Sequence, residues 1–500
     1  MSTKKKALFF SIFLSTLFTF ISLTQKAFGA DLFVNPDLFG NCTRSLPCRP
    51  HTALIIANPG DDIYFRYGTY KGELLAAQVI YLDKAINLLG GWDGNPTGDL
   101  VRNPELHPST LDGENLRRVI RVNSGAYSSP TIDGFTITNG NATGLINNCS
   151  GQLPNGCGGG IYVDLAKVRI LNNKILNNSA SLSPNLLQFG YGGGVHLEGS
   201  AGAVVRGNLV QGNQAHPGGL GGGGGLSIFG SSAGTRIVTS QFIDNNGQLG
   251  GGIMAYDQND LLIDKNSIRN NHGAVGVGLY LTGTGTITRN HFQNHLDGAA
   301  VYLELYQGVF DSNTLITNKI GVELYRGTLL YPRVSNNIIA DNGTSALVAE
   351  GSGPNPLQVN LEHNTLAGGG SGAAISIPAS QYVTLSMTNN IIAGFPTGIV
   401  NSSYPSSSVL AHHTLFSPDV SNHGINVNFQ NSLTGDPAFM DPATAEYHIR
   451  FTSAAKDAGS INFIAVKDID GDPRPIGSAP DIGADEYRPA GYLYLPLIHK

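Results

Sequence analysis

The chain has 500 residues, of which 13% are charged and 65 are glycine, with a formal charge of −6. So thin and slightly acidic a charge leaves no basic patch to hold nucleic acid, and so much glycine suits many tight turns rather than long helices. Length alone would allow several globular domains, but an internal repeat makes one elongated body the expectation.

Residues 1–29 read as a secretory signal. Lys4, Lys5 and Lys6 make a charged start, Leu8 to Leu23 is largely apolar, and Ala27-Phe28-Gly29 supplies small residues at −3 and −1. The apolar run is broken by Ser and Thr and falls short of the ~20 residues a membrane span needs. Export to the medium or the cell surface is therefore expected, with no transmembrane span in the mature chain. Cleavage removes four lysines and no acid, moving the formal charge from −6 to −10. The four cysteines fall in two close pairs, Cys42 with Cys48 and Cys149 with Cys157. In an oxidising compartment each pair is expected to close a local disulfide. The alternative, a metal site, suits neither the spacings nor the lack of a nearby His cluster.

Residues 30–118 read as an N-terminal cap with the first coils of a repeat. Cys48 to Asn58 has helical potential and could cover the open end of a core, since bare strand edges invite end-to-end association. Pro59-Gly-Asp-Asp-Ile-Tyr-Phe and Tyr67-Gly-Thr-Tyr-Lys resemble the opening of many secreted β-helix proteins.

From 119 to 434 one phrase returns, an apolar run ending in a marked Asn: Asn173, Asn208, Asn266, Asn290, Asn313, Asn337, Asn364 and Asn390. From Asn266 onward the steps are 24, 23, 24, 27 and 26 residues. A Gly-led apolar run precedes most phrases, as in Gly160-Ile-Tyr-Val, Gly194-Val-His-Leu and Gly278-Leu-Tyr-Leu. A period in the twenties admits leucine-rich repeats and β-helices. Here Ile, Val, Leu and Phe share the apolar positions and alternate at period two, and Gly and Asn separate three short runs per period. The reading is an all-β, right-handed parallel β-helix with three strands per coil and about 10–12 coils. The marked Asn should form a ladder at the turn between the second and third strands.

Residues 435–487 break the rhythm and read as a C-terminal capping region. Gly435-Asp-Pro-Ala-Phe, Asp468-Ile-Asp-Gly-Asp-Pro-Arg-Pro and Pro480-Asp-Ile-Gly-Ala-Asp-Glu-Tyr resemble the terminal motif of bacterial right-handed β-helix proteins of the choice-of-anchor Q type, which share the pectate-lyase-like fold. That resemblance implies the fold and a secreted or surface location, and no established chemistry. Residues 488–500 form an apolar tail, too short to span a bilayer, that reads equally as a sorting or docking tail or as a final strand.

Stacked coils put equivalent residues ~4.8 Å apart, so each outward position becomes a row. On the Gly-led strands the rows read Tyr162 and Asp164, His196 and Glu198, Ser227 and Phe229, Met254 and Tyr256, Tyr280 and Thr282, Tyr302 and Glu304, Glu323 and Tyr325, Val348 and Glu350. Rings offer flat faces to sugar C–H groups and carboxylates accept hydroxyl hydrogen bonds or bind Ca²⁺. Tyr162, Phe229, Tyr256, Tyr280, Tyr302 and Tyr325 are thus candidate binding residues for an extracellular polysaccharide. Glu304 with Glu323, and Glu198 with His196 or Asp164, are the candidate catalytic pairs, with Glu304 and Glu323 placed for the separation of an inverting glycosidase. Insertions at Ser179 to Tyr191 and Gln214 to Gly221 could wall the groove. No Asp-Asp cluster of the polygalacturonase type is present, and Arg326 and Arg206 look isolated, unlike the base of a pectate lyase. The rival reading is a non-catalytic surface or adhesive scaffold whose rings merely favour strands.

No cofactor is required by these motifs and no metal ligand set is assigned. Asp468-Ile-Asp470-Gly-Asp472 starts like an EF-hand loop but carries Ala479 at the twelfth position, so the motif fails, and Ca²⁺ bridging these acids is the option left open. His272, His291, His295, His412 and His413 fall on turns without metal-ligand spacing and read as surface residues. A monomer is expected.

Overall fold

A computed structural model describes residues 29–123, 129–145, 156–185, 188–218, 221–230, 232–326, 331–353, 356–369, 371–462 and 465–489. Residues 1–28 of the predicted leader, Cys149, and the apolar tail from 490 onward lie outside these.

The protein is a right-handed parallel β-helix whose coils each contribute strands to three faces. Face A runs from Gln78–Leu82 and Arg118–Val122 through Ile161–Asp164 and Val195–Glu198 to Asn422–Ile425. Face B runs from Asp31–Val34 and Asp62–Arg66 to Asn428–Gln430. Face C is a 14-stranded parallel ladder from Gly68–Lys71 to Leu433–Thr434. In three consecutive coils the strands of faces A and B run together, as Ile253–Asp264, Leu279–Thr288 and Ala299–Asp311, which joins both faces into one 25-stranded sheet.

Alternation sets what goes inside. On face A, Ile120, Ile161, Val195, Leu226, Ile253, Leu279, Val301, Val322, Leu347, Ile375 and Ile399 pair in register, coil after coil. All are buried in one continuous core. Such a column removes aliphatic surface from water at every step, ~25 cal/mol per Å².

Two corners of most coils are built alike. A residue with φ near +50° turns the chain, and the next residue points its amide into the stack. Asn172 (φ 53°) precedes Asn173, and Asn177 (φ 53°) precedes Asn178. The first corner carries the expected ladder between the second and third strands. Asn266, Asn290, Asn313, Asn337, Asn364 and Asn390 are linked amide to amide at 2.9–3.1 Å. Each also donates to a carbonyl of the preceding coil, as Asn313 does to Ile287. A second ladder, at the corner after the third strand, was not expected: Asn178, Asn213, Asn245, Asn271, His295, Asn318 and Asn342. His295 is therefore not a surface residue. It is fully buried, its Nδ1 lies 2.9 Å from Asn318 Oδ1 and its Nε2 3.3 Å from the Asn271 amide. Burial pushes its pKa down to about 4.

At the N-terminal end, a helix at Pro50–Ile56 puts Ala53 into the core, with Ala57 just beyond it. Lys84 Nζ donates to the carbonyls of Leu54, Ile55 and Ala57 at that helix's end. The Cys42–Cys48 disulfide is formed. Cys157 is not a free thiol, while the other half of its expected pair, Cys149, lies outside the described residues.

The C-terminal region is described over residues 435–462 and 465–489. It folds back along the outside of face C, where Tyr447, Ile449, Ala455, Ile482 and Ala484 pack on Ile338, Ala340, Ala367, Ile391, Ala393 and Leu415. The motif Pro480 to Tyr487 wraps a buried guanidinium. Arg474 pairs with Glu486 at 2.9 Å and donates to the carbonyls of Gly483 and Ala484. His363, Thr365 and the Asn389 carbonyl of the coils bond the same segment, and the Asn389 side chain bonds Ser460. No helix of the described residues is long and apolar enough to cross a membrane.

Candidate binding face and its carboxylates

The outward rows fall in register as expected. Tyr162, His196, Ser227, Met254, Tyr280, Tyr302, Glu323 and Val348 form one column. Asp164, Glu198 and Phe229 open the second, which later runs through Thr282, Glu304, Tyr325 and Glu350. Tyr256 meets Phe229 in it, ring centroids 5.9 Å apart.

Outward does not mean open. The Gly-led segments form a further small ladder, Gly156–Cys157, Gly190–Tyr191 and Gly221–Gly222, continued by bridges to Leu249 and Val275. It folds over the first column and seals Tyr162, His196, Ser227 and Met254. The glycines are needed for this close approach. Gly192 has φ +65°, and a Cβ there would come within 2.7 Å of Ser227 Oγ. The insertions expected to wall a groove therefore roof half of it.

This changes the status of several candidates. His196 Nδ1 lies 2.7 Å from Ser227 Oγ and its Nε2 3.1 Å from Glu198 Oε2, a Ser–His–Glu series. Both Ser227 and His196 are fully buried, and burial holds the imidazole pKa below its usual value. Sealed in this way, Ser227 and His196 have no open surface to offer a polymer. Tyr162 is likewise covered, with the guanidinium groups of Arg118 and Arg121 4.7 and 5.8 Å from its ring.

Beyond the roof the face opens. Tyr280, Tyr302 and Tyr325 stack with centroids 5.5 and 5.7 Å apart. Tyr280, placed on an outward row as a candidate binding residue, is only 6% exposed. Its hydroxyl donates to Glu304 Oε2 at 2.7 Å, and Arg326 Nη1 donates to Glu304 Oε1 at 3.3 Å. Arg326, isolated in the sequence, thus belongs to the site, with its guanidinium 4.9 Å from the Tyr325 ring. Glu304 and Glu323 stand diagonally on adjacent coils, each paired in register with a tyrosine. Burial, with the Glu350 charge beside it, pushes the Glu323 carboxyl up to about 7.

Toward the roofed end the rings continue. Phe229 meets Tyr191 edge-on at 4.8 Å, and Tyr191 stacks on Phe189 at 6.2 Å. Tyr256 is the most open ring of the row, 47% exposed. Phe189 and Tyr191 were overlooked because they close an insertion rather than lead a strand, although their aromatic spacing of two was a usable signal. A cavity of about 540 Å³ opens at the corner between faces A and B of these coils, lined by Thr284, Gln307, Gly308, Val309, Tyr331 and Arg333.

The acids of the failed EF-hand loop do not converge on one point. Asp468 accepts the N–H groups of Asp470, Asp472 and Glu486, and Asp472 pairs with Arg488.

A family model described as "Right handed beta helix region" matches residues 222–366. No curated protein sequence matches the chain. Among solved structures, the pectate lyase Pel9A is 11% identical, with 92% of this chain and 96% of that chain covered at a TM-score of 0.40. The catalytic unit of a thermostable GH87 α-1,3-glucanase from Streptomyces thermodiastaticus strain HF3-3 is 15% identical, covering 73% and 70% at 0.44. Tailspike protein 3 of bacteriophage CBA120 is 10% identical, covering 74% and 55% at 0.36. At such identities the likeness is one of fold and carries nothing about substrate.

Proposed function

We propose that this is an exported β-helix protein that binds a polysaccharide along the open part of face A, from Phe229 and Tyr256 to Tyr325 and Glu350. The observation that carries this reading is the pair of half-buried rings Tyr302 and Tyr325, with Tyr280 packed beneath them and Glu304, Glu323 and Arg326 alongside. Flat rings beside hydroxyl-accepting carboxylates suit a sugar chain. The excess of carboxylates over cations favours a neutral glycan over a uronate polymer, whose charges would be repelled.

The test is binding of soluble neutral and acidic glycans to the protein and to Tyr256→Ala and Tyr325→Ala. Each substitution should weaken binding about tenfold, ~1–1.5 kcal/mol for a lost ring contact, with melting little changed for Tyr256. Binding of no glycan, or binding indifferent to both changes, would leave the non-catalytic adhesive scaffold as the better account.

Cleavage is a second reading, favoured by one observation: a carboxyl raised to about 7 stands beside one held by Tyr280 and Arg326. Glu323 would give its proton to the departing glycosidic oxygen while Glu304 takes one from the attacking water. Glu323→Gln should then abolish release of reducing ends and spare binding.

A further inference from the structure

The C-terminal region brings together side chains from three separate segments: His448 on the strand Glu446–Ile449, Asp470 in the turn that follows Asp468, and Asp485 in the terminal motif. One ligand atom from each lies within 4.8 Å of the others. His448 Nδ1 is hydrogen-bonded to Glu446 Oε1. A carboxylate on Nδ1 fixes the tautomer and leaves the Nε2 lone pair for a metal, the arrangement in which histidine ligands are usually held. Nε2 faces Asp470 Oδ2 at 3.0 Å, a contact that a cation shared by the two would replace. Asp485 is 6% exposed, and one of its oxygens accepts the Ile449 N–H at 2.7 Å. Its other oxygen accepts no hydrogen bond from the described residues, and no lysine or arginine pairs with it there. With His448 and Asp470, Asp485 makes a mixed nitrogen and oxygen donor set that a cation can complete. A cavity of about 280 Å³ adjoins the cluster, lined by Glu446, His448 and Asp470 together with Arg289 and His291. That is room for water at the remaining coordination positions.

We propose that His448 Nε2, Asp470 and Asp485 bind one divalent transition-metal cation of the Zn²⁺ or Mn²⁺ class, with Glu446 positioning the imidazole. An imidazole nitrogen among carboxylates selects these ions over Ca²⁺ and Mg²⁺, which prefer all-oxygen shells. The ion ties the strand, the turn and the terminal motif together, so its binding energy becomes stability of this region.

The test uses the untagged full chain stripped with chelator and titrated with ZnCl₂, MnCl₂ or CaCl₂, followed by calorimetry and thermal melting. One equivalent of Zn²⁺ or Mn²⁺ should bind and raise the melting temperature. Asp470→Asn, at an exposed side chain, should melt as the parent does in chelator and lose the metal-induced rise. Glu446→Gln should weaken binding 10–100-fold. The adjacent His412 and His413 are the competing zinc ligands, so His412→Ala should change nothing. Binding of Ca²⁺ alone, no stoichiometric binding, or loss of binding in His412→Ala but not in Asp470→Asn would each overturn the site.

Discussion

Asn313 accepts both the backbone N–H and the side-chain amide of Asn290 on its Oδ1, and donates its own amide to Ile287 O and Asn337 Oδ1. Asn313→Ala removes these bonds to the coils on either side and leaves the buried Asn290 N–H and Ile287 carbonyl each short of a partner. Its cost should be about 1–3 kcal/mol, read as a lower denaturant midpoint. Ser240 is a short link in the ladder, its hydroxyl reaching Asn208 N at 3.2 Å but offering no amide to continue the chain. His295 is the comparable exception in the second ladder. Its folded pKa of about 4 lies below the ordinary 6.5, so the unfolded chain takes up the proton first. Its contribution is complete above pH 6.5 and is lost as pH falls toward 4. His295→Asn restores an amide at that rung and should flatten the fall of melting temperature across this window; an unchanged slope would remove His295 from the acid response.

At the scale of the element, the corner is the unit that repeats. Asparagine, aspartate and glycine accept a positive φ readily, yet Thr239 adopts φ 49° just before Ser240. A β-branched residue is poorly suited to that region. Thr239→Asn keeps the backbone bond to Asp264 O and should raise stability by about 1 kcal/mol, measurable as a higher melting temperature. The first ladder was legible in the sequence because each marked Asn keeps its distance to the next apolar run. The second lies five residues beyond the first, as Asn178 does from Asn173 and Asn318 from Asn313, a spacing of asparagines that histidine at 295 interrupts. The columns of face A were legible too, since register follows from alternation. Their exposure was not. It depends on two-residue glycine strands that have no apolar pattern to betray them, and those strands decide that His196 is sealed while Tyr256 is open.

For the whole molecule, 14 strands on face C at ~4.8 Å make a body roughly 60 Å long. Its last coil is bare: Ile425, Phe429 and Leu433 are 46%, 39% and 39% exposed. Asn422, Asn426, Asn428 and Asn431 crowd the same edge, the polar blunting that discourages another chain from pairing there. Because the C-terminal region lies alongside the coils, it also determines how the protein would respond to being pulled. Tension entering at Arg488 does not reach the edge of the final coil directly. It first meets the contacts that bind Ser460, Asp481 and Ala484 to Asn389, His363 and Thr365, some two to three coils back from that edge. Load is thus spread across several rungs in shear, where many bonds must give at once, instead of peeling strands off one by one.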